Sequence, residues 1–97
     1  MNNKFEISVV IATRERPQQL RAALESLAKQ TFSMEKFEVI VVENGRSAVS
    51  SDIVRDFHSG LCSCKYLTER KPGAAAARNA GVAASAAPIL LFLDDDA

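Results

Sequence analysis

The chain has 97 residues, of which 12 are basic and 12 are acidic, so its formal net charge is zero. A chain of this size forms at most one domain, and zero net charge gives no reason to expect nucleic acid or an anionic membrane as its partner. No apolar run approaches the ~18 residues of a membrane span. No apolar signal region precedes the first predicted strand, so a cytoplasmic location is expected.

The first half of the chain predicts two strands joined by a helix. Residues 6–12 are β-branched and almost wholly apolar, which is typical of a strand covered on both faces. Pro17 fits the first turn of a helix, and apolar residues then recur at helical spacing to about residue 30. Residues 37–43 predict a second buried strand, which ends at turn residues.

The second half predicts a modest helix over residues 50–58, a strand over residues 64–69 and then an alanine-rich helix. Between Gly73 and Ala87, nine of fifteen residues are alanine, which favours a helix with small side chains. Gly81 in the middle costs roughly 1 kcal/mol relative to alanine, and this cost suggests close packing on the sheet. Pro88 is expected to end this helix.

The fourth strand is predicted at residues 89–93, a near-continuous apolar run that we expect to be buried. The resulting order, β-α-β-α-β-α-β with short connections, implies an α/β fold with a parallel sheet, right-handed crossovers and helices on both faces. Ligands of such sheets bind beyond the carboxyl ends of the strands. The site is therefore expected among the four segments that come directly after the strands, of which the first and third are basic.

Three aspartates, Asp94, Asp95 and Asp96, follow the fourth strand directly. Adjacent carboxylates repel one another, and a bound divalent cation removes that conflict. Carboxylate oxygens suit Mg²⁺ or Mn²⁺. In an extended segment Asp94 and Asp96 project to one side and Asp95 to the other, so that one can hold the metal while another meets a sugar hydroxyl. The alternative is a solvated acidic turn, but the position directly after a strand favours a metal-diphosphate site.

Three further positions have both a purely structural and a functional interpretation. Arg78 lies in the helix that begins after Gly73, where the guanidinium and the helix N-terminal amides can both face a diphosphate. It can also be a solubilising surface residue. Glu43 and Asn44, at the end of the second strand, form either a simple Asx-type turn or a pair that meets the polar edge of a nucleobase.

Together, residues 7–32, 37–45, 72–81 and 89–97 resemble the start of a family 2 glycosyltransferase, in order and with the usual spacings. The resemblance implies the GT-A fold, a Rossmann-like parallel sheet with flanking helices. It further implies that residues 1–97 are the N-terminal, donor-binding part of a glycosyltransferase domain that is truncated after the DxD-type motif.

The same resemblance implies roles for seven residues. Asp96 would be the principal metal ligand, with Asp94 and Asp95 supporting metal or ribose contacts. Many members carry two aspartates near the base where this chain has Glu43 and Asn44, so the choice of nucleotide stays open. Thr13 would line the nucleobase pocket with its backbone, and Arg78 would lie near the donor diphosphate.

The resemblance also implies an activity. The parent enzyme would transfer a sugar, with inversion, from a nucleotide-diphosphate sugar to an acceptor hydroxyl on a saccharide or lipid. A UDP-sugar is the first expectation for the donor, and Mn²⁺ or Mg²⁺ would stabilise the leaving diphosphate. No catalytic residue is expected in this chain, because the general base would lie beyond residue 97. The 97 residues alone should therefore be inactive, and membrane association of a longer protein stays open.

Other classes remain as alternatives. A non-catalytic nucleotide- or metal-binding module shares every feature of this sequence and differs only in the residues that would lie downstream of it. A dinucleotide-dependent oxidoreductase needs a Gly-x-Gly-x-x-Gly turn after the first strand, and residues 12–17 contain no glycine. A phosphoacceptor signalling domain would carry its acidic cluster at early strand ends and a lysine late in the chain, and this sequence has neither.

Overall fold

The computed structural model describes residues 5–29, 36–45, 50–60 and 63–94. Seven elements alternate between strand and helix, and all seven agree in type with the sequence prediction. The strands are β1 (Ile7–Thr13), β2 (Phe37–Glu43), β3 (Cys64–Thr68) and β4 (Ile89–Asp94). The helices are α1 (Pro17–Ala28), α2 (Ser51–Gly60) and α3 (Ala74–Ala84). Among these described helices, none is both long and apolar enough to cross a membrane.

The four strands form one parallel sheet in the order β3-β2-β1-β4. The chain runs outward from β1 to β3 and then returns to place β4 on the other side of β1. The border between β1 and β4 is therefore a topological switch point, where ligands of open α/β sheets bind. The register places Thr13 opposite Glu43 and Ala12 opposite Asp94, so all four carboxyl ends lie at one edge.

Both faces of the two inner strands, β1 and β2, are covered, as their near-continuous apolar sequences predict. On one face, Val9 and Ile11 of β1 belong to a core cluster with residues of α1 and α2. On the other face, Val10 belongs to a second, smaller cluster with Ala77 of α3. The alternation of side chains along β1 thus separates two helical layers, which confirms the α/β architecture.

Close packing of α3 on the sheet is confirmed at Gly81. A Cβ atom at this position would lie 2.4 Å from Cγ1 and 3.2 Å from Cγ2 of Val10. Because Val10 is buried in β1, only a residue without a side chain allows the helix backbone to approach this strand so closely.

The connection between α3 and β4 differs from the prediction, since α3 ends at Ala84, four residues before Pro88. Ser85 adopts an extended conformation with ψ 147°, and its Oγ donates a hydrogen bond to the Val82 carbonyl. The N–H groups of Ala86 and Ala87 then donate hydrogen bonds to side-chain acceptors on the sheet, not to carbonyls of the helix. The helix therefore ends because these acceptors compete for its backbone, before the proline is reached.

The acceptors belong to Glu38 and Ser8, which are both buried. Oε2 of Glu38 accepts hydrogen bonds from Ser8 Oγ and from the Ala86 N–H, each at 2.7 Å. Nζ of Lys65 lies 3.1 Å from Oε1 of Glu38. Burial alone would raise the pKa of Glu38, but the hydrogen bonds from Ser8 and Ala86 and the charge of Lys65 together lower it below its ordinary value of 4.5.

The expectation that the fourth strand is buried is wrong in this structure. β4 is at the edge of the sheet, and within the described residues it pairs only with β1. Its apolar side chains from Ile89 to Phe92 are exposed. The apolar run predicted the strand correctly, but an edge position leaves its side chains without the cover that an inner strand receives.

Candidate functional site

The carboxyl edge of the sheet carries three adjoining pockets of about 270, 350 and 450 Å³. The first and second share Arg14 and Asn44, and the first and third share Ala12 and Ala74. The pockets therefore adjoin one another, and we call them together the carboxyl-edge groove. It extends from Arg70, beside the end of β3, across the end of β1 to the switch point at β4.

The groove has a strongly basic rim. Its lining includes Arg14, Arg16, Arg70 and Arg78, all with exposed side chains. α3 begins at the groove with Gly73 as its N-cap, and this glycine supplies no side-chain cap for the first amides of the helix. Guanidinium groups and helix N-terminal amides both favour anionic oxygens, so the rim suits a phosphate or diphosphate.

Glu43 is fully buried at the end of β2, and its carboxylate holds two neighbouring elements. Oε2 accepts a hydrogen bond from the Glu15 N–H at 2.7 Å, and Oε1 accepts one from the Tyr66 hydroxyl at 3.1 Å. Glu15 has a φ of 51°, a conformation that non-glycine residues seldom adopt. Burial, followed by the negative charge of Glu43, raises the pKa of Tyr66 to about 12. Glu43 therefore fixes the turn after β1.

Asn44 is also buried, and its side chain reaches the loop between β3 and α3. Nδ2 donates hydrogen bonds to the carbonyls of Glu69 at 3.0 Å and Lys71 at 2.8 Å. Oδ1 accepts a hydrogen bond from the Gly73 N–H at 3.2 Å. The Asn44 N–H donates to the carbonyl of Thr13 at 2.7 Å. One residue thus joins β1, β2 and the loop that leads into α3.

The other predicted site residues lie at the ends of β1 and β4 and on α3. Thr13 is buried at the end of β1 and lines the first pocket. Arg78 lines the third pocket, at the switch point. Asp94 ends β4 opposite Ala12, and only its backbone is described. Asp95 and Asp96 lie outside the described residues. The structure therefore brings Thr13, Asn44 and Arg78 to the lining of one groove, while Glu43 is buried behind it and lines none of the three pockets.

The donor atoms that the chain offers for a metal centre are the carboxylate oxygens of the triple aspartate. Among the residues that the structure describes, no group of three or more His, Cys, Asp or Glu side chains could hold a metal ion. Asp94 ends β4, and Asp95 and Asp96 follow it in the sequence; carboxylate oxygens of this kind fit Mg²⁺ or Mn²⁺. The metal site at Asp94 and Asp96 stays a prediction.

Sequence reasoning did not assign Glu15 and Tyr66, the two partners of Glu43. No local pattern identifies Glu15, because a positive φ at glutamate is set by the distant carboxylate that receives its N–H. Tyr66 lies on β3, one position before the residue paired with Val42. Alternation along β3 places Tyr66 on the same face as Cys64, but it does not indicate a contact with Glu43.

The fold and the groove define an α/β protein with a basic groove at the carboxyl edge of its sheet, which reaches the switch point. The sequence profile of Glycosyl transferase family 2 matches residues 8–97, and the chain therefore belongs to this family.

Two curated relatives agree with this assignment. The chain is 40% identical over 90 residues to a validoxylamine A glucosyltransferase of Streptomyces hygroscopicus subsp. jinggangensis, a match that covers 91% of the chain and 21% of that protein. It is 34% identical over 91 residues to the glycosyltransferase AglE of Haloferax volcanii, which covers 93% of the chain and 30% of AglE. The chain thus spans less than a third of the length of either relative.

Solved structures give the same fold. A crystal structure of S. aureus TarS 1-349 has a TM-score of 0.85 at 28% identity, covering 95% of this chain and 28% of that chain. The same TarS portion in complex with UDP-GlcNAc has a TM-score of 0.78, with 95% and 27% covered. A Pyrobaculum calidifontis mannosyltransferase in complex with GDP-Man and Mn²⁺ has a TM-score of 0.82 at 22% identity, covering 94% and 27%, which supports the fold alone. The prediction of a GT-A fold is confirmed.

Proposed function

We propose that this chain forms the donor-binding part of a glycosyltransferase that takes a sugar from a nucleotide-diphosphate sugar. The observation that carries the proposal is the carboxyl-edge groove, whose adjoining pockets reach from the end of β3 to the switch point. The pocket at Arg14, Gly45 and Arg70, of about 350 Å³, would take the nucleobase and ribose. The other end of the groove lies beside Arg78 and the start of α3, where the diphosphate would bind.

Charge and hydrogen-bond chemistry support this orientation. Arg14, Arg70 and Arg78 form no ion pair within the described part of the chain, so their guanidinium groups are available for an anionic ligand. Asn44 lines both the base end and the adjoining first pocket, where the backbone of Thr13 would meet the nucleotide. Glu43 would act from behind this wall, where its carboxylate accepts the Glu15 N–H. A bidentate guanidinium–phosphate contact adds both affinity and orientation.

We further propose that donor binding depends on a divalent cation, Mn²⁺ or Mg²⁺, held by Asp96 and Asp94, with Asp95 towards the ribose. When bound, such a cation supplies positive charge where negative charge develops on the leaving diphosphate. The chain's own contribution at this end is to orient the diphosphate with Arg78 and the amides of α3. The support is the acidic sequence that begins with Asp94 at the end of β4, a strand that pairs with β1.

A UDP-sugar is the proposed donor. The support is the 28% identity to TarS, which has been crystallised with UDP-GlcNAc and with UDP. We propose that the complete enzyme inverts the anomeric centre and transfers the sugar to a hydroxyl of a saccharide or lipid acceptor. The general base would then lie outside residues 1–97, which alone would bind the donor without transferring sugar. A cytoplasmic location also stays a prediction.

A titration of the 97-residue chain with UDP in the presence of Mn²⁺, followed by calorimetry, tests the proposal. Loss of a charge-assisted hydrogen bond costs roughly 1.5–3 kcal/mol, so Arg78→Ala is expected to weaken UDP binding by about tenfold or more. Arg55→Ala is the matched control, because Arg55 is an exposed arginine of α2 that pairs with Asp52 outside the groove. Equal affinity of both variants, or no binding of UDP, GDP or dTDP by the folded chain, would contradict the proposal.

A non-catalytic nucleotide-binding module is the second candidate, since the groove and its charges would serve both. Transfer or donor hydrolysis by a longer protein that contains this chain would favour the enzyme. Nucleotide binding by that longer protein without either reaction would favour the module.

A further inference from the structure

The loop between β3 and α3 supplies two parts of the groove, and a single side chain holds this loop. Arg70 and Pro72 line the second pocket, while Gly73 begins α3 and lines the first. The polar atoms of the Asn44 side chain all face the backbone of this loop, with two hydrogen bonds donated and one accepted. We refer to these three hydrogen bonds as the Asn44 clasp.

We propose that Asn44 is a positioning residue of the donor site, which acts on the nucleotide through the loop that it holds and not by reading the base. Both Nδ2 protons are directed to carbonyl oxygens, at 3.0 Å for Glu69 and 2.8 Å for Lys71. An amide donates no more than two hydrogen bonds through this nitrogen, so no donor remains for a base. The inference rests on the proposed function, because it assigns a role within the same site.

The clasp requires asparagine in particular. A carboxylate at position 44 could still accept the Gly73 N–H, but it has no proton to donate to the carbonyls of Glu69 and Lys71. Its second oxygen would then face those carbonyl oxygens, and the loop would have to move away. An aspartate, which the family resemblance would lead one to expect at this place, therefore could not make the same contacts in this chain.

The clasp determines where the loop presents its binding groups. Arg70 lies between the two residues whose carbonyls Asn44 binds, so its backbone has hydrogen bonds on either side. Gly73, with a φ of 114°, sets the start of α3 and hence the direction of the helix amides. Release of the loop is therefore expected to displace both Arg70 at the base end and the start of α3. Because the Asn44 side chain offers the base no hydrogen-bond donor, all nucleotide donors should lose affinity to a similar degree.

The test is calorimetric titration of the full chain and of its Asn44→Ala and Asn44→Asp variants with UDP, GDP and dTDP in the presence of Mn²⁺. Loss of the loop contacts is expected to lower the affinity of both variants by about tenfold, with the ratios among the three nucleotides unchanged. Asn79→Asp is the control, because it makes the same chemical change on an exposed residue of α3 that does not line the groove. It is expected to bind each nucleotide like the unmodified chain.

Amide hydrogen exchange of the unliganded protein provides the second readout. The Gly73 amide is expected to exchange faster in Asn44→Ala than in the unmodified chain, since it loses its acceptor. A loss of affinity confined to one nucleotide, with Gly73 exchange unchanged, would show that Asn44 reads the base and would overturn the proposal. If the unmodified chain binds no nucleotide, the proposed function fails, while the exchange measurement still decides whether the clasp holds the loop.

If both variants fail to fold, the unmodified chain alone can show whether the Asn44 side chain holds the loop. NMR of its side-chain amides is expected to show two slowly exchanging Nδ2 protons for Asn44, both shifted by hydrogen bonding to carbonyls. Rapid exchange of these protons with water would overturn the clasp.

Discussion

Replacement of Gly81 by alanine is expected to destabilise the fold, although alanine is the better helix former. The new Cβ would lie 2.4 Å from Cγ1 of Val10, with Cγ2 at 3.2 Å and Cβ at 3.3 Å. Ordinary carbon contacts are about 3.5–4.0 Å, so α3 would have to move by roughly 1 Å. Val10 cannot easily move away, because it is buried in β1 between the two neighbouring strands.

The magnitude follows from two opposing terms. Overpacking of a core costs about 1–3 kcal/mol, and the severe contact with Val10 places this substitution near the upper end. The gain in helix propensity returns about 1 kcal/mol. We therefore expect Gly81→Ala to lower the free energy of unfolding by about 2 kcal/mol. Ala83→Gly, on an exposed position of the same helix, isolates the propensity term and should cost about 1 kcal/mol.

Urea denaturation followed by circular dichroism measures these changes, provided that the m-values agree among the variants. Val10→Ala alone should cost about 2 kcal/mol. It also removes the two methyl groups that would clash, so the double variant should cost less than the sum of the single variants by about 1 kcal/mol or more. A Gly81→Ala variant as stable as the unmodified chain, or additive costs in the double variant, would refute the claim that close packing requires this glycine.

Three further predictions concern buried and acidic groups. Glu38→Gln should lower stability at pH 7 by about 2 kcal/mol, because it loses charge-assisted hydrogen bonds. The folded-state pKa of Glu38 lies below 4.5, so its carboxylate stabilises the fold above that pH and the contribution is lost as pH falls further. Denaturation curves should therefore show a weaker loss of stability in acid for Glu38→Gln, and parallel pH profiles would contradict this. Tyr66 should titrate near pH 12 by ultraviolet absorbance. Because that pKa is raised, its contribution to stability should be lost between about pH 10 and pH 12, a loss that Tyr66→Phe should lack. Asp96→Ala should abolish the Mn²⁺ dependence of UDP binding in calorimetry, and an unchanged dependence would exclude Asp96 as a ligand.

The sequence predicted the order and type of all seven elements, because β1, β2 and β4 are dense apolar runs, α1 and α2 have an apolar face, and α3 is rich in alanine. The close approach at Gly81 was also predicted correctly, since a glycine within an alanine-rich helix lowers stability unless the backbone there packs closely on a neighbour. The predicted end of α3 and the predicted burial of β4 were wrong for the same reason, since both depend on contacts with residues that are distant in the sequence. The end of α3 depends on Glu38, which is distant in sequence, and the exposure of β4 depends on its place in the sheet order.

In the candidate site, too, local sequence predicted some features, while others depend on the tertiary fold. The position of Glu43 and Asn44 at the carboxyl edge followed from strand boundaries alone. The contacts of their side chains did not follow from the sequence, because the partners are distant in the chain. Glu15 lies 28 residues from Glu43, and Gly73 lies 29 residues from Asn44. Turn chemistry predicts that an asparagine will bind nearby backbone groups, but it does not specify which loop the tertiary fold brings within reach. Roles inferred from residue type therefore need the contacts of the folded chain.

The central claim is that a nucleotide-diphosphate donor binds along the carboxyl-edge groove. The most direct test is two-dimensional NMR of the isotope-labelled chain during titration with UDP and Mg²⁺, which avoids the line broadening caused by Mn²⁺. The account predicts that the largest amide shift changes fall on residues 12–16, 44–45 and 70–78, while α2 stays unchanged. Shift changes centred on α2, or none at saturating UDP in a folded sample, would contradict it.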